Sequence, residues 1–158
     1  MRVISHTASN TEIVCALGAG NLLVGVDADS DFPADIARQI PKLGRDLQLD
    51  LAAVEALRPD LVLTSLTVPG HERIVEALNR RGIPTLVADP ISLEDVFDDV
   101  RRIAKALGVP VAGEQLAAEM DAGMPQRVGV VAETGHRAGA RLLGHRPAGA
   151  SGRPQPLA

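Results

Sequence analysis

A chain of 158 residues, 46% of them hydrophobic, has the length of one domain and can bury a sizeable core. Trp and Tyr are absent and only Phe32 and Phe97 are aromatic, which excludes a site built on aromatic stacking; the single Cys15 excludes a disulfide framework. The net charge of −4 is uneven, because residues 125–158 hold five Arg and one Glu while the first 124 residues carry 11 basic against 19 acidic side chains, an acidic body that argues against nucleic acid as a partner.

The first stretch, Arg2 to Leu17, reads as a strand, a sharp polar turn and a helix. Arg2-Val3-Ile4-Ser5 is β-branched, His6 to Asn10 breaks it, and Ile13, Val14, Ala16 and Leu17 resume at helical spacing. Ser9-Asn10-Thr11-Glu12 has the spacing of a capping box, so Ser9 is expected as the N-cap. Cys15 falls on the apolar face of this helix and is expected as a buried structural thiol. Gly18-Ala19-Gly20 ends the helix and Leu22 to Val26 forms a second strand. These glycines follow a helix and precede a strand, the reverse of the order that binds a pyrophosphate.

Asp27, Asp29 and Asp31 alternate like the opening of a calcium loop. Phe32 stands where that loop needs Gly and Arg38 where it needs Glu, so a polar strand-end turn is the reading adopted. Ala34 to Gln39 can make one helical turn, and Asp50 can cap a short helix from Leu51 to Leu57. Arg58-Pro59-Asp60 stops that helix before the apolar strand Leu61 to Thr64. A helix from His71 to Arg81, a strand from Ile83 to Val87 and a helix capped by Ser92 with Asp95 three residues on complete the alternation. Pro110 to about Met124 begins another helix, and from Pro125 a Gly-, Arg- and Pro-rich stretch is expected to be disordered or poorly packed.

Strands alternating with helices predict an α/β domain with a Rossmann-like, four-stranded parallel sheet flanked by helices. Its strand-end loops, residues 5–10, 27–33, 64–70 and 88–90, should share one rim, where open parallel sheets bind ligands. Residues 1–109 are the expected lobe, 110–124 the start of a connecting helix and 125–158 a separate tail.

His6 could coordinate cobalt or iron, but a lone His without other ligands at metal spacing is read as solvent-facing or locally hydrogen-bonded. His71 is read as a capping or surface residue, and the His residues do not gather into a zinc set. Ser5, Ser9 and Ser65 lack the Gly-x-Ser-x-Gly turn of a hydrolase, so no catalytic residue is assigned. An α/β enzyme pairing His6 with a rim Asp stays as the alternative, and a remnant without function as a third.

Three stretches resemble a known family: RVISHTASNTEIVCALGAGNLLVGVDADSDFP, LDLAAVEALRPDLVLTS and GIPTLVAD. They are similar to the amino-terminal lobe of the periplasmic, class III substrate-binding proteins that serve ABC importers of cobalamin, ferric siderophores and haem. The likeness runs over about residues 2–122. It implies two Rossmann-like lobes joined by a rigid helix with the ligand between them, and no enzyme activity. Here the second lobe is expected to be missing, and the reading frame is expected to depart from the ancestral one near Pro125.

The Ser-Asn-Thr-Glu turn most resembles the cobalamin branch. The resemblance implies ligand contacts at His6, Thr7, Ala8, Ser9, Asn10, Asp29, Arg45, Asp46, Ser65, Leu66 and Thr67. That branch often carries aromatic side chains at the positions of Asp29, Asp46 and Ser65, which are polar in this chain. It also implies docking to an ABC permease through the helix near Asp50. The matching position is Ala52, for which Asp50 or Glu55 would substitute. Cobalamin or a ferric chelate would be cargo, with no resident cofactor. The family implies a periplasmic or cell-envelope location. No run is long and apolar enough to span a bilayer and no signal peptide precedes the first strand, so a chain starting at Met1 is expected in the cytoplasm. An exposed face on the connecting helix would support a homodimer.

Overall fold

A computed structural model describes residues 1–123, of which Met1–Asp121 form one compact unit. The elements are β1 (Val3–Ser5), α1 (Ala8–Ala16), a 3-10 turn (Gly20–Leu22), β2 (Leu23–Val26), α2 (Ala34–Ala37), α3 (Leu51–Leu57), β3 (Leu61–Ser65), α4 (His71–Arg80), β4 (Thr85–Ala88) and α5 (Leu93–Ala106). A sixth helix, α6, spans 110–123 and opens on Pro110, whose missing N–H costs nothing in a first helical turn. The expected sequence of strands and helices is the observed one. The reading of residues 125–158, with the proposed frame change, lies outside the described residues.

The sheet has the order β2-β1-β3-β4 and every pair is parallel. Successive side chains of a strand point to opposite faces, and each face is covered. Val3 and Leu63 enter a core with Val14, Phe97, Val100 and Ile103, whereas Ile4 and Val62 enter a second core with Val54, Ile74 and Leu78. Helices α1 and α5 therefore cover one face, and α3 and α4 the other. Helix α6 packs on α5 through its small residues: Ala117 is fully buried, and a Cβ on Gly113 would lie 2.4 Å from the Ala104 Cβ. Leu116 and Met120 join the same core. These contacts place one face of the helix against the lobe while Val111 stays 70% exposed, and they lend the expected homodimer no support.

Both sheet edges are guarded. Beside β2, residues 41–44 run as a short parallel bridge, Val26 N–H donating to the Pro41 carbonyl at 3.0 Å and Leu43 N–H to the Val26 carbonyl at 2.8 Å. Beside β4, the Arg102 guanidinium reaches the Val87 carbonyl at 3.3 Å and pairs with Asp99 at 2.6 Å. A cation laid across an edge strand blocks the pairing of a further strand.

Two local expectations are corrected. Helix α1 starts one residue before Ser9, and its N-cap is Thr7, whose hydroxyl accepts from Asn10 N–H at 3.4 Å. Ser9 lies inside the first turn, so no capping box forms with Glu12. Cys15 is only half-buried; burial, with the charges of Asp35 and Glu12, pushes its thiol pKa up, away from reactivity. The box at Ser92 and Asp95 does form, with both reciprocal bonds present.

Candidate functional site

Because all four strands are parallel, their carboxyl ends open on one edge of the sheet, and backbone bonds tie the exits side by side. His6 N–H donates to the Leu63 carbonyl at 2.8 Å, Asp27 N–H to Ser5 at 3.1 Å and Leu66 N–H to Ala88 at 2.8 Å. The rim expected from the alternation of strands and helices is therefore continuous from β2 to β4.

Beneath the rim lies a network of small polar side chains. The Thr11 hydroxyl stands 2.8 Å from both Ser5 Oγ and Ser30 Oγ. Ser30 in turn donates to the Asp27 carboxylate, whose other oxygen accepts from Asp29 N–H at 3.1 Å. Asn10 donates through Nδ2 to the Thr64 carbonyl at 3.2 Å. All of Ser5, Asn10, Thr11, Asp27, Ser30 and Thr64 are buried. Buried polar groups are tolerated where each has a partner, and here those partners lock three strand exits together.

Two histidines extend this network to the segment that arches over it. Both rings are buried, His6 at 1% and His71 at 0% exposure. His6 Nε2 lies 2.6 Å from the Asp46 carbonyl and Nδ1 2.9 Å from the Thr64 hydroxyl. His71 Nδ1 lies 2.9 Å from the Ser65 carbonyl and Nε2 2.5 Å from the Asp46 carboxylate. The surface or capping role expected for His71 is thereby corrected, as is a solvent-facing His6. Burial, reinforced by the neighbouring His71, lowers the His6 pKa, against the opposing pull of the Asp46 carbonyl and of the Asp27 and Asp46 carboxylates.

The side chains expected to meet a ligand separate into two sets. His6, Asn10 and Ser65 are buried and form the framework; Ser65 Oγ bonds Thr67 Oγ1 at 2.8 Å and accepts from Thr67 N–H at 3.1 Å. Ser9, Asp29, Arg45, Leu66 and Thr67 are exposed, while Thr7, Ala8 and Asp46 are half-buried. Arg45 and Asp29 approach to 3.9 Å across two loops. The N–H groups of Ala8 and Ser9 open α1 with no carbonyl one turn earlier to accept from them.

Missing from the sequence reading was most of an apolar element: Phe32, Leu47 and Ile91, on rim loops and 62%, 50% and 94% exposed, join Leu66, which was expected at the ligand and is 37% exposed. Their position one to six residues past a strand or bridge was the available signal. Among the described residues, no three His, Cys, Asp or Glu side chains gather so as to hold a metal ion, and no helix is long and apolar enough to cross a membrane. The two acids considered for permease docking already have partners: Asp50 caps α3 by accepting from Ala53 N–H at 3.0 Å, and Glu55 pairs with Arg81 at 3.1 Å. Ala52 between them is exposed.

A parallel sheet whose loops converge on one polar edge is the arrangement at whose strand ends open α/β folds bind ligands. The chain belongs to the periplasmic binding protein family, whose sequence profile matches residues 3–138. It is 31% identical over 121 residues to the ABC transporter substrate-binding lipoprotein YvrC of Bacillus subtilis, covering 75% of this chain and 38% of that protein. It is also 31% identical over 116 residues to the vitamin B12-binding protein of Yersinia pestis, covering 73% and 41%. Among solved structures, the apo periplasmic heme-binding protein RhuT from Roseiflexus is similar with a TM-score of 0.67 and 32% identity, over 77% of this chain and 46% of that one. The chain thus spans about two fifths of the length of the curated relatives it matches.

Proposed function

We propose that this lobe is one wall of the ligand cleft of an ABC importer's substrate-binding component, and that it takes cobalamin or a ferric chelate such as haem without chemical turnover. The observation that carries this reading is the single rim formed by four strand exits, with the N–H groups of Ala8 and Ser9 that open α1 and the hydroxyls of Thr7, Ser9 and Thr67 beside exposed Leu66 and Leu47. A large macrocycle with polar arms needs that mixture of apolar cover and hydrogen-bonding groups. The relatives named above are binding proteins, one for vitamin B12 and one for heme, and their names support the ligand class. The permease is the proposed partner, and the cell envelope the proposed location.

An enzyme built on His6 and a rim Asp is disfavoured by the ring itself, since both nitrogens are already engaged and neither reaches solvent. One wall of such a cleft makes about half of a ligand's contacts, so binding to this lobe by itself should be weaker than roughly micromolar. The test is an NMR titration with cyanocobalamin and with hemin. Shifts confined to the amides of residues 7–9, 29, 45–47 and 66–67 are expected. Shifts elsewhere, or none with either compound at high concentration, would overturn the reading.

A further inference from the structure

The segment 44–50 leaves the β2 edge, crosses the rim and is pinned at its far side by two histidines from different elements, His6 after β1 and His71 at the start of α4. Both direct Nε2 at one residue, Asp46, and their ring centroids are 4.9 Å apart. We propose that the His6–Asp46–His71 clamp is a proton-sensitive latch, which holds the 44–50 loop on the ligand rim at neutral pH and releases it as the medium acidifies.

The hydrogen-bond roles fix the charge. A carbonyl only accepts, so His6 must carry its hydrogen on Nε2, facing Asp46, and the Thr64 hydroxyl donates to the bare Nδ1. With Nδ1 accepting from Thr64 and Nε2–H given to Asp46, the His6 ring is neutral. A proton added to its Nδ1 buries a positive charge in a ring only 1% exposed, 4.9 Å from the His71 ring, and forces the Thr64 hydroxyl to turn and accept.

The groups facing His6 cannot absorb that charge freely. From the β2 exit comes Asp27, whose two oxygens already serve Ser30 and Asp29 N–H. From the loop comes Asp46, whose carboxylate is held by His71. From β3 come only Thr64 and Ser65, which do not titrate in this range, and from α4 comes His71 itself. The lowered His6 pKa agrees with this geometry. Its sign is that of a depressed base: the stabilisation is complete above the unfolded value of 6.5 and is lost as the pH falls from there through the folded value.

Release of the clamp would move Arg45, Asp46 and Leu47 together. Leu47 lies against Gly70, where an added Cβ would come within 2.8 Å of it. The latch does not depend on which ligand the rim takes, because every group in it belongs to this chain.

Hydrogen exchange in the full chain tests it, corrected for intrinsic rates and compared between about pH 7.5 and about pH 5.5. The Gln48 and Asp50 amides, which bond to the Arg45 and Leu43 carbonyls, should lose protection roughly tenfold in acid while β1 and β3 stay protected. His6→Gln keeps a donor for the Asp46 carbonyl but cannot titrate, and should hold its protection at both pH values. Unchanged wild-type exchange, or the same acid loss in His6→Gln, would overturn the proposal. If His6→Gln does not fold, the His6 ring is followed by NMR. A titration midpoint below 6.5 that coincides with loop opening supports the latch, and a midpoint at or above 6.5, or one apart from the opening, sinks it.

Discussion

Thr11 and Ser30 meet side chain to side chain at 2.8 Å, joining the first turns of α1 to the loop that leaves β2. Both are buried, and Ser30 passes the contact on to Asp27. Replacing Thr11 with Val keeps the shape and removes the hydroxyl from a closed network. We expect a loss of about 1–3 kcal/mol, because Ser5 and Ser30 are left facing an apolar group. Lacking Trp and Tyr, the chain is best followed by far-UV circular dichroism in urea; an unchanged midpoint would show that the network contributes nothing.

The position of the first cap separates two neighbouring hydroxyls. Thr7→Ala should cost about 1 kcal/mol, since an N-cap acceptor is lost, whereas Ser9→Ala should stay within about 0.5 kcal/mol of wild type. Equal losses at both, or a larger loss at Ser9, would return the cap to the place suggested by sequence spacing alone.

Gly44 combines φ +101° with a position where an added Cβ would stand 2.1 Å from the Gln48 carbonyl oxygen. The clash is with backbone, which cannot step aside as a side chain would. Gly44→Ala should therefore destabilise by about 2 kcal/mol or more and loosen the 44–50 loop first. Denaturation midpoints and the exchange of Gln48 N–H read the two effects; a neutral substitution would mean that the loop has another conformation.

At the start of α5, Asp95 has its pKa lowered, first by the Ser92 hydroxyl and then by the N–H groups of Ile91 and Ser92. A depressed carboxylate contributes stability that is present above its unfolded value of 3.8 and is lost as the pH falls through the folded value. Asp95→Asn should thus be less stable than wild type at neutral pH, and the gap should close in acid. Ser92→Ala should move the Asp95 titration back toward 3.8. A gap that does not vary with pH would contradict the box.

Much of this lobe is legible in the chain. Val3-Ile4, Leu61-Val62-Leu63 and Leu86-Val87 are short runs bounded by turn residues, and strands separated by helices admit few arrangements other than a parallel sheet. The Asp50 and Ser92 caps follow from local spacing, and both form. The Thr7 cap was missed because Ser9 offered a competing pattern, and what decides between them is where the β1 exit bends. His6 and His71 were misjudged for a different reason. Their burial depends on Asp46, 40 and 25 residues away, and no local pattern announces that partnership.

The place of β1 in the sheet has a consequence for how the lobe comes into being. The strand made first sits inside, between one neighbour made soon afterwards and another, β3, made only after some 35 further residues have left the ribosome. Until then, Ile4 has only part of its eventual cover and one flank of β1 stands open. A nascent chain is thus most vulnerable to wrong partners midway through translation, and slowing synthesis just before Leu61 should lower the yield more than an equal pause after Ala88.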